Sequence, residues 1–160
     1  WLPGGIRKVA SSNAACNCCA QLWRAPVPLP IGGELPLAND HDIVLCRQHV
    51  RRLSQEINFS LVDQTKFVTA ASELARNAVI YGGGGRMLWQ LVESGSRRGL
   101  RLIFVDEGPG IANLELAMTD GWTSGRGLGM GLTGAKRLVN EFEIESAPGA
   151  GTRVSITRWR

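Results

Sequence analysis

A chain of 160 residues, 44% hydrophobic and 20% charged, has the size and balance of one globular domain around a single core. Its net charge of +4 is scattered and not gathered into a basic stripe, which argues against nucleic acid as a partner. No apolar run reaches the length of a membrane span, and the start of the chain lacks a signal-peptide layout, so no membrane association and a cytoplasmic location are expected.

Residues 1–30 mix Pro, Gly, Ser, Asn and Cys without periodicity and read as a disordered amino-terminal extension, leaving 31–160 as the domain. Three of the four cysteines, Cys16, Cys18 and Cys19, fall in that extension. No nearby histidine or further cysteine completes a tetrahedral metal shell, so they read as free thiols. Order is expected from Glu34, where ELPLA forms a short strand that Pro36 confines to an edge. Asn39 with Asp42 three residues on is a capping-box variant. The helix it starts carries Ile43, Cys46, Val50, Leu53 and Ile57 as one apolar stripe and breaks at Asn58-Phe59-Ser60.

A second helix is predicted from Val62 to Tyr81, with Phe67, Ala71, Leu74, Ala78 and Tyr81 as its buried stripe, ended by Gly82-Gly83-Gly84-Gly85. The strands RMLWQLV and LRLIFVD, joined by SGSRRG, read as a hairpin. Both are apolar on each face, as central strands covered by helices would be. A short helix over Asn113–Met118 follows, then the glycine-rich DGWTSGRGLGMGL and a third helix from Gly131 to Glu141 presenting Leu132, Ala135, Leu138 and Val139. The chain closes with strand FEIES, turn APGAG and strand TRVSITRW. This order predicts an α/β (α+β) two-layer sandwich, with helices on one face of a mixed, mostly antiparallel sheet.

Three segments carry chemistry. In Ser72-Glu73-Leu74-Ala75-Arg76-Asn77, Glu73 and Asn77 share one helical face beside the apolar stripe. An amide oxygen so placed suits Mg²⁺ and a carboxylate suits a general base, while a solvated Glu with an Asn at a local kink is the plain alternative. In Asp106-Glu107-Gly108-Pro109-Gly110-Ile111, Asp106 lies where an apolar strand leaves the core, and the glycines allow close approach to a flat ring; an ordinary Asp-Gly turn also fits. In Gly125-Arg126-Gly127-Leu128-Gly129-Met130-Gly131-Leu132, alternate glycines run into a helix start and expose backbone N–H groups as a phosphate cradle. The loop lacks the Gly-Lys-Ser/Thr ending of a Walker A motif, and no strand runs into it as a dinucleotide fingerprint requires. Arg126 could reach a phosphate or point to water.

SELARNAV, VDEGPGI, GRGLGMGL and APGAGT, in that order, resemble the N, G1, G2 and G3 boxes of the GHKL (Bergerat-fold) ATPase and kinase superfamily over residues 34–160. Within it the chain is similar to the RsbT-type serine/threonine switch kinases of the bacterial stressosome, through SELARN, the Asp63-Gln64 pair, GLGMGLTGAKRLVNEFEI and the terminal Arg158-Trp159-Arg160. The resemblance implies ATP and Mg²⁺ as cofactors. Asn77 then matches the Mg²⁺-coordinating asparagine, Glu73 the general base, and Asp106 the aspartate accepting a hydrogen bond from the adenine amino group. Gly108 and Gly110 shape the adenine pocket, Gly127, Gly129 and Gly131 close over the phosphates, and Thr152 lies near the adenine. The chain departs from the anti-sigma-factor kinases at Tyr81-Gly82, where they show His-Ala, and from the RsbT type at Thr133, where proline is common.

The function implied is a protein-serine/threonine kinase that phosphorylates a STAS-domain regulator, with a PP2C-type phosphatase or a sigma factor as further partner. An ATP-gated anti-sigma or phosphatase-activating module with little kinase activity is the alternative. A histidine-kinase catalytic domain ranks third: it needs a phospho-acceptor helix upstream, and His41 and His49 read as solvated or packing residues of the first helix.

Overall fold

The computed structural model describes residues 32–119 and 131–160. Five strands form one sheet, β1 (Gly33–Leu37), β2 (Gly85–Ser94), β3 (Arg97–Asp106), β4 (Glu141–Ser146) and β5 (Thr152–Trp159), in the spatial order β1-β2-β3-β5-β4. All four pairings are antiparallel, which sharpens the expectation of a mixed, mostly antiparallel sheet. The helices are α1 (Asp40–Glu56), α2 (Leu61–Ile80), the single turn α3 (Leu114–Ala117) and α4 (Gly131–Arg137).

Local chemistry sets the ends of the two long helices. The Asn39 side chain accepts hydrogen bonds from His41 N and Asp42 N, and the Asp42 carboxylate accepts one back from Asn39 N, completing the capping box. At the other end Asn58 takes a left-handed conformation, φ 57°, which asparagine tolerates better than most side chains. Ser60 caps α2 by accepting from Asp63 N, so that helix begins one residue before the expected Val62. Ile43, Cys46, Val50 and Leu53 of α1 and Phe67, Ala71, Leu74 and Ala78 of α2 are buried as their spacing predicts. They meet the sheet through Met87, Leu100, Leu102, Phe104, Ile144, Val154 and Ile156 in one core.

Three further boundaries differ from the sequence expectation. Tyr81 is 47% exposed and outside the core, because α2 ends at Ile80 and Tyr81 is its cap residue. The third long helix stops at Arg137, short of Glu141. Asn140 has already joined the sheet, donating its N–H to Thr157 O and accepting from Trp159 N at its side-chain oxygen. The β2–β3 hairpin closes on the two residues Gly95-Ser96, with Gly95 at φ 60° as the first central residue of a II′-type turn, so the strands run further into SGSRRG than expected.

Candidate functional site

One cavity of about 870 Å³ lies between α2, the loop after β3, the start of α4 and the start of β5. That volume suits a nucleotide-sized ligand. Its wall includes Glu73 and Asn77 from α2, Asp106 and Gly110 from the end of β3 and its loop, Gly131 from α4, and Thr152 from β5. Six of the nine residues singled out in the sequence therefore share one space. Gly108 does not line the cavity, and Gly127 and Gly129, with Arg126, lie outside the described residues.

The strand-end half of the site is a knot of hydrogen bonds. Asp106 Oδ1 accepts from Gly108 N at 3.0 Å, and a backbone bond from Thr152 also reaches its carboxylate. Burial nonetheless pushes the Asp106 pKa up, and these two bonds oppose that rise without cancelling it. A half-buried carboxylate held this way presents acceptor oxygens at the cavity wall. Gly82 permits the arrangement: a Cβ there would stand 2.5 Å from both Cβ and Cγ of Asp106. At Gly108 a Cβ would stand 2.6 Å from the Cα of Gly82, so the two glycines face each other and back the aspartate.

Ser146 ties this half together, and nothing in the sequence marked it. Its hydroxyl donates to Gly151 O and accepts from Ile111 N, each at 2.8 Å, and lies 3.0 Å from Thr152 Oγ1. Gly149 N also donates to Pro109 O at 2.7 Å. The β4–β5 turn and the loop after Asp106 are thus one unit.

The helical half is chemically open. Glu73, Arg76, Asn77 and Ile80 line the cavity from one face of α2. Among the described residues the side chains of Glu73, Arg76 and Asn77 have no hydrogen-bond or ion-pair partner. Gly131 lies directly over the Asn77 amide, whose nitrogen would be 3.5 Å from a Cβ built there. The donor set fits Mg·ATP: an unpartnered amide oxygen and an unpartnered carboxylate are hard oxygen ligands, and Mg²⁺ characteristically takes few protein ligands beside substrate phosphates. Among the described residues no group of three or more His, Cys, Asp or Glu gathers into a metal site of another kind.

Two sequence features without an assigned role also meet. Arg158 donates to the Asp63 carboxylate and, at 2.9 Å, to Leu138 O, so the end of β5 fastens the first turn of α2 to the turn after α4. The Ser60 hydroxyl donates to the other Asp63 oxygen at 2.7 Å. That bond first, with Arg158 behind it, holds the Asp63 carboxyl below the usual range. Cys46 is buried, with its thiol 3.4 Å from the sulfur of Met87 and its pKa pushed up to about 12, which leaves it a packing residue; Cys16, Cys18 and Cys19 lie outside the described residues. His49 stacks tilted on Trp89 with ring centroids 4.1 Å apart, a packing role as expected.

Residues 62–159 match the family described as histidine kinase-, DNA gyrase B-, and HSP90-like ATPase. The chain is 41% identical over 123 residues to the serine/threonine-protein kinase RsbT of Bacillus subtilis, covering 77% of this chain and 92% of that one. It is 31% identical over 129 residues to an anti-sigma F factor of Clostridium acetobutylicum, covering 76% of this chain and 88% of the relative. The crystal structure of RsbU and RsbW domains from Mycobacterium tuberculosis superposes with a TM-score of 0.57 at 23% identity, over 83% of this chain and 34% of that one, a likeness of fold.

Proposed function

The chain belongs to the histidine kinase-, DNA gyrase B-, and HSP90-like ATPase family, and from that premise we propose that it is a protein-serine/threonine kinase drawing on Mg·ATP. The observation that carries the reading is the pairing of two unlike half-sites in one cavity. Asp106 offers a fixed, half-buried acceptor, and Glu73 and Asn77 offer unbonded oxygens on one helical face. The adenine amino group donates to Asp106, with Gly110 and Thr152 beside the ring. Asn77, with Gly127, Gly129 and Gly131, serves the triphosphate end. The Asn77 amide oxygen would hold Mg²⁺ there, and the ion would supply neutralisation of phosphate charge.

Glu73 orients the acceptor hydroxyl and takes its proton as the oxygen–phosphorus bond forms and the bond to the leaving ADP oxygen breaks. The 41% identity to a serine/threonine-protein kinase supports a Ser or Thr acceptor. We assign the acceptor to a STAS-domain regulator of a cytoplasmic partner-switching pathway, with a PP2C-type phosphatase or sigma factor as second partner. Similarity to anti-sigma F factors favours one other reading, a nucleotide-gated binding module.

The test is paired. Glu73→Gln retains Mg·ATP binding by calorimetry and loses transfer of labelled phosphate to a STAS-domain protein. Asp106→Asn loses nucleotide binding itself. Full transfer by Glu73→Gln removes Glu73 as base, and unchanged affinity in Asp106→Asn removes the adenine contact. A wild-type protein that binds the partner in ATP but leaves it unlabelled favours the binding module.

A further inference from the structure

The described wall of the cavity carries two acidic side chains, Glu73 and Asp106, and a single cation, Arg76. Arg76 is exposed and lies on α2 one residue before Asn77 and three after Glu73, so all three project toward the same side of the helix. Most arginines of the described chain are engaged: Arg86 with Glu34, Arg98 with Glu93, Arg101 with Glu141, Arg153 with Glu145, Arg158 with Asp63, and Arg97 over the Trp159 ring. Arg76 has no such partner among the described residues, even though Glu73 stands at the helical spacing at which a Glu–Arg pair ordinarily forms.

The two carboxylates of the described wall repel a triphosphate, which leaves Arg76 as the one described side chain there with the charge to attract it. A guanidinium presents a planar fork of donors matched to phosphate oxygens. We propose that Arg76 contacts the γ-phosphate of the bound nucleotide and stabilises the charge on the phosphoryl group as it passes to the acceptor. The assignment rests on the kinase reading above and deepens it. The γ-phosphate is singled out over the α and β groups by sequence neighbours. Arg76 lies in sequence between the residue assigned to the acceptor proton and the one assigned to Mg²⁺, within one turn of both, and the group transferred beside them is the terminal phosphoryl. Its exposure puts it at the rim, the side from which a protein hydroxyl arrives. In the step itself the acceptor oxygen gains phosphorus, ADP leaves with the bridging oxygen, and the acceptor proton goes to Glu73; Arg76 stays protonated throughout.

A γ-phosphate contact is read by nucleotide discrimination, without any turnover. Calorimetry with Mg·ATP and Mg·ADP on the whole chain gives the affinity ratio for wild type, Arg76→Ala, Arg76→Lys and Arg51→Gln. The last alters one exposed arginine of α1 that does not line the cavity. Arg76→Ala is expected to lower the ATP-to-ADP ratio at least fivefold with ADP affinity nearly unchanged, Arg76→Lys to recover part of it, and Arg51→Gln to leave it as in wild type. An unchanged ratio in Arg76→Ala, or an equal loss for both nucleotides, overturns the γ-phosphate contact while leaving the kinase reading standing. Wild-type protein that binds neither nucleotide overturns both.

Discussion

Ser146→Ala tests whether the strand-end half of the site is as tightly built as its geometry implies. Ser146 is 6% exposed, and its hydroxyl serves two backbone groups from different loops, Gly151 O and Ile111 N, both at 2.8 Å. Alanine fits the space but supplies neither bond. The Gly151 carbonyl is buried and loses this partner at full desolvation cost, whereas Ile111 borders the cavity, where water can partly replace the serine. An unsatisfied buried group costs about 1–3 kcal/mol, so the two together should cost roughly 2–3 kcal/mol. That is a large share of the ~5–15 kcal/mol that holds a domain folded.

Ser54→Ala is the matched control. Ser54 is fully buried, but its hydroxyl donates only to Val50 O of its own helix at 2.7 Å. Its removal should cost under about 1 kcal/mol. Urea unfolding followed by circular dichroism, without nucleotide, measures both. If Ser146→Ala falls within about 0.5 kcal/mol of Ser54→Ala, the hydroxyl does not join the two loops and the reasoning is wrong.

Gly82→Ala forces a methyl group to within 2.5 Å of the Asp106 side chain and 2.6 Å of Ala78 O, so the aspartate or the helix end must move. Nucleotide affinity by calorimetry should fall at least tenfold, on the order of 1.4 kcal/mol, and an affinity equal to wild type would show that Asp106 has room to spare. The pKa of Asp106 is raised by burial, so its contribution to stability is full below the unfolded value near 3.8 and is lost as pH rises through the higher folded value. Asp106→Asn should therefore gain on wild type in urea midpoint from pH 3 to pH 7, and a difference independent of pH would contradict the shift. Arg158→Ala breaks the tie from β5 to Asp63 and Leu138 O and should cost about 1–3 kcal/mol in the same assay.

What the sequence disclosed was local. The Asn39–Asp42 cap, the apolar stripes of α1 and α2 and the β2–β3 hairpin each depend on residues a few positions apart. Glu73 and Asn77 were legible for the same reason, since four residues are one helical turn. The contacts that escaped are long-range: Ser146 lies 35 residues from Ile111, and Asp63 lies 95 from Arg158. A serine in the strand FEIES carries no sign that its hydroxyl will meet two loops, and Asp63-Gln64 and Arg158 were conspicuous without a shared role. Tyr81 was misplaced because periodicity continues past the point where a helix ends. The Gly82–Gly85 run told where α2 stops but not that Gly82 also makes room for Asp106.

That second role of Gly82 explains how two segments 29 residues apart come to line one cavity. The Asn77 carbonyl accepts from Tyr81 N at 2.9 Å and Gly82 N at 3.2 Å, so the helix end is tied to the residue that touches Asp106. From Asp106 the linkage runs to Thr152 across the β3–β5 register, then to Ser146 and Ile111. The wall on this side is a continuous series of contacts between backbone groups and the side-chain oxygens of Asp106, Ser146 and Thr152. The side chains of Glu73, Arg76 and Asn77 take no part in it, being held only through the frame of α2, which Ser60 and the Asp63–Arg158 pair fasten at its other end. Stability and chemistry therefore separate by location. Substitutions at Gly82 or Ser146 should change folding and nucleotide affinity together, whereas those at Glu73 or Arg76 should change phosphoryl chemistry with the unfolding midpoint nearly untouched.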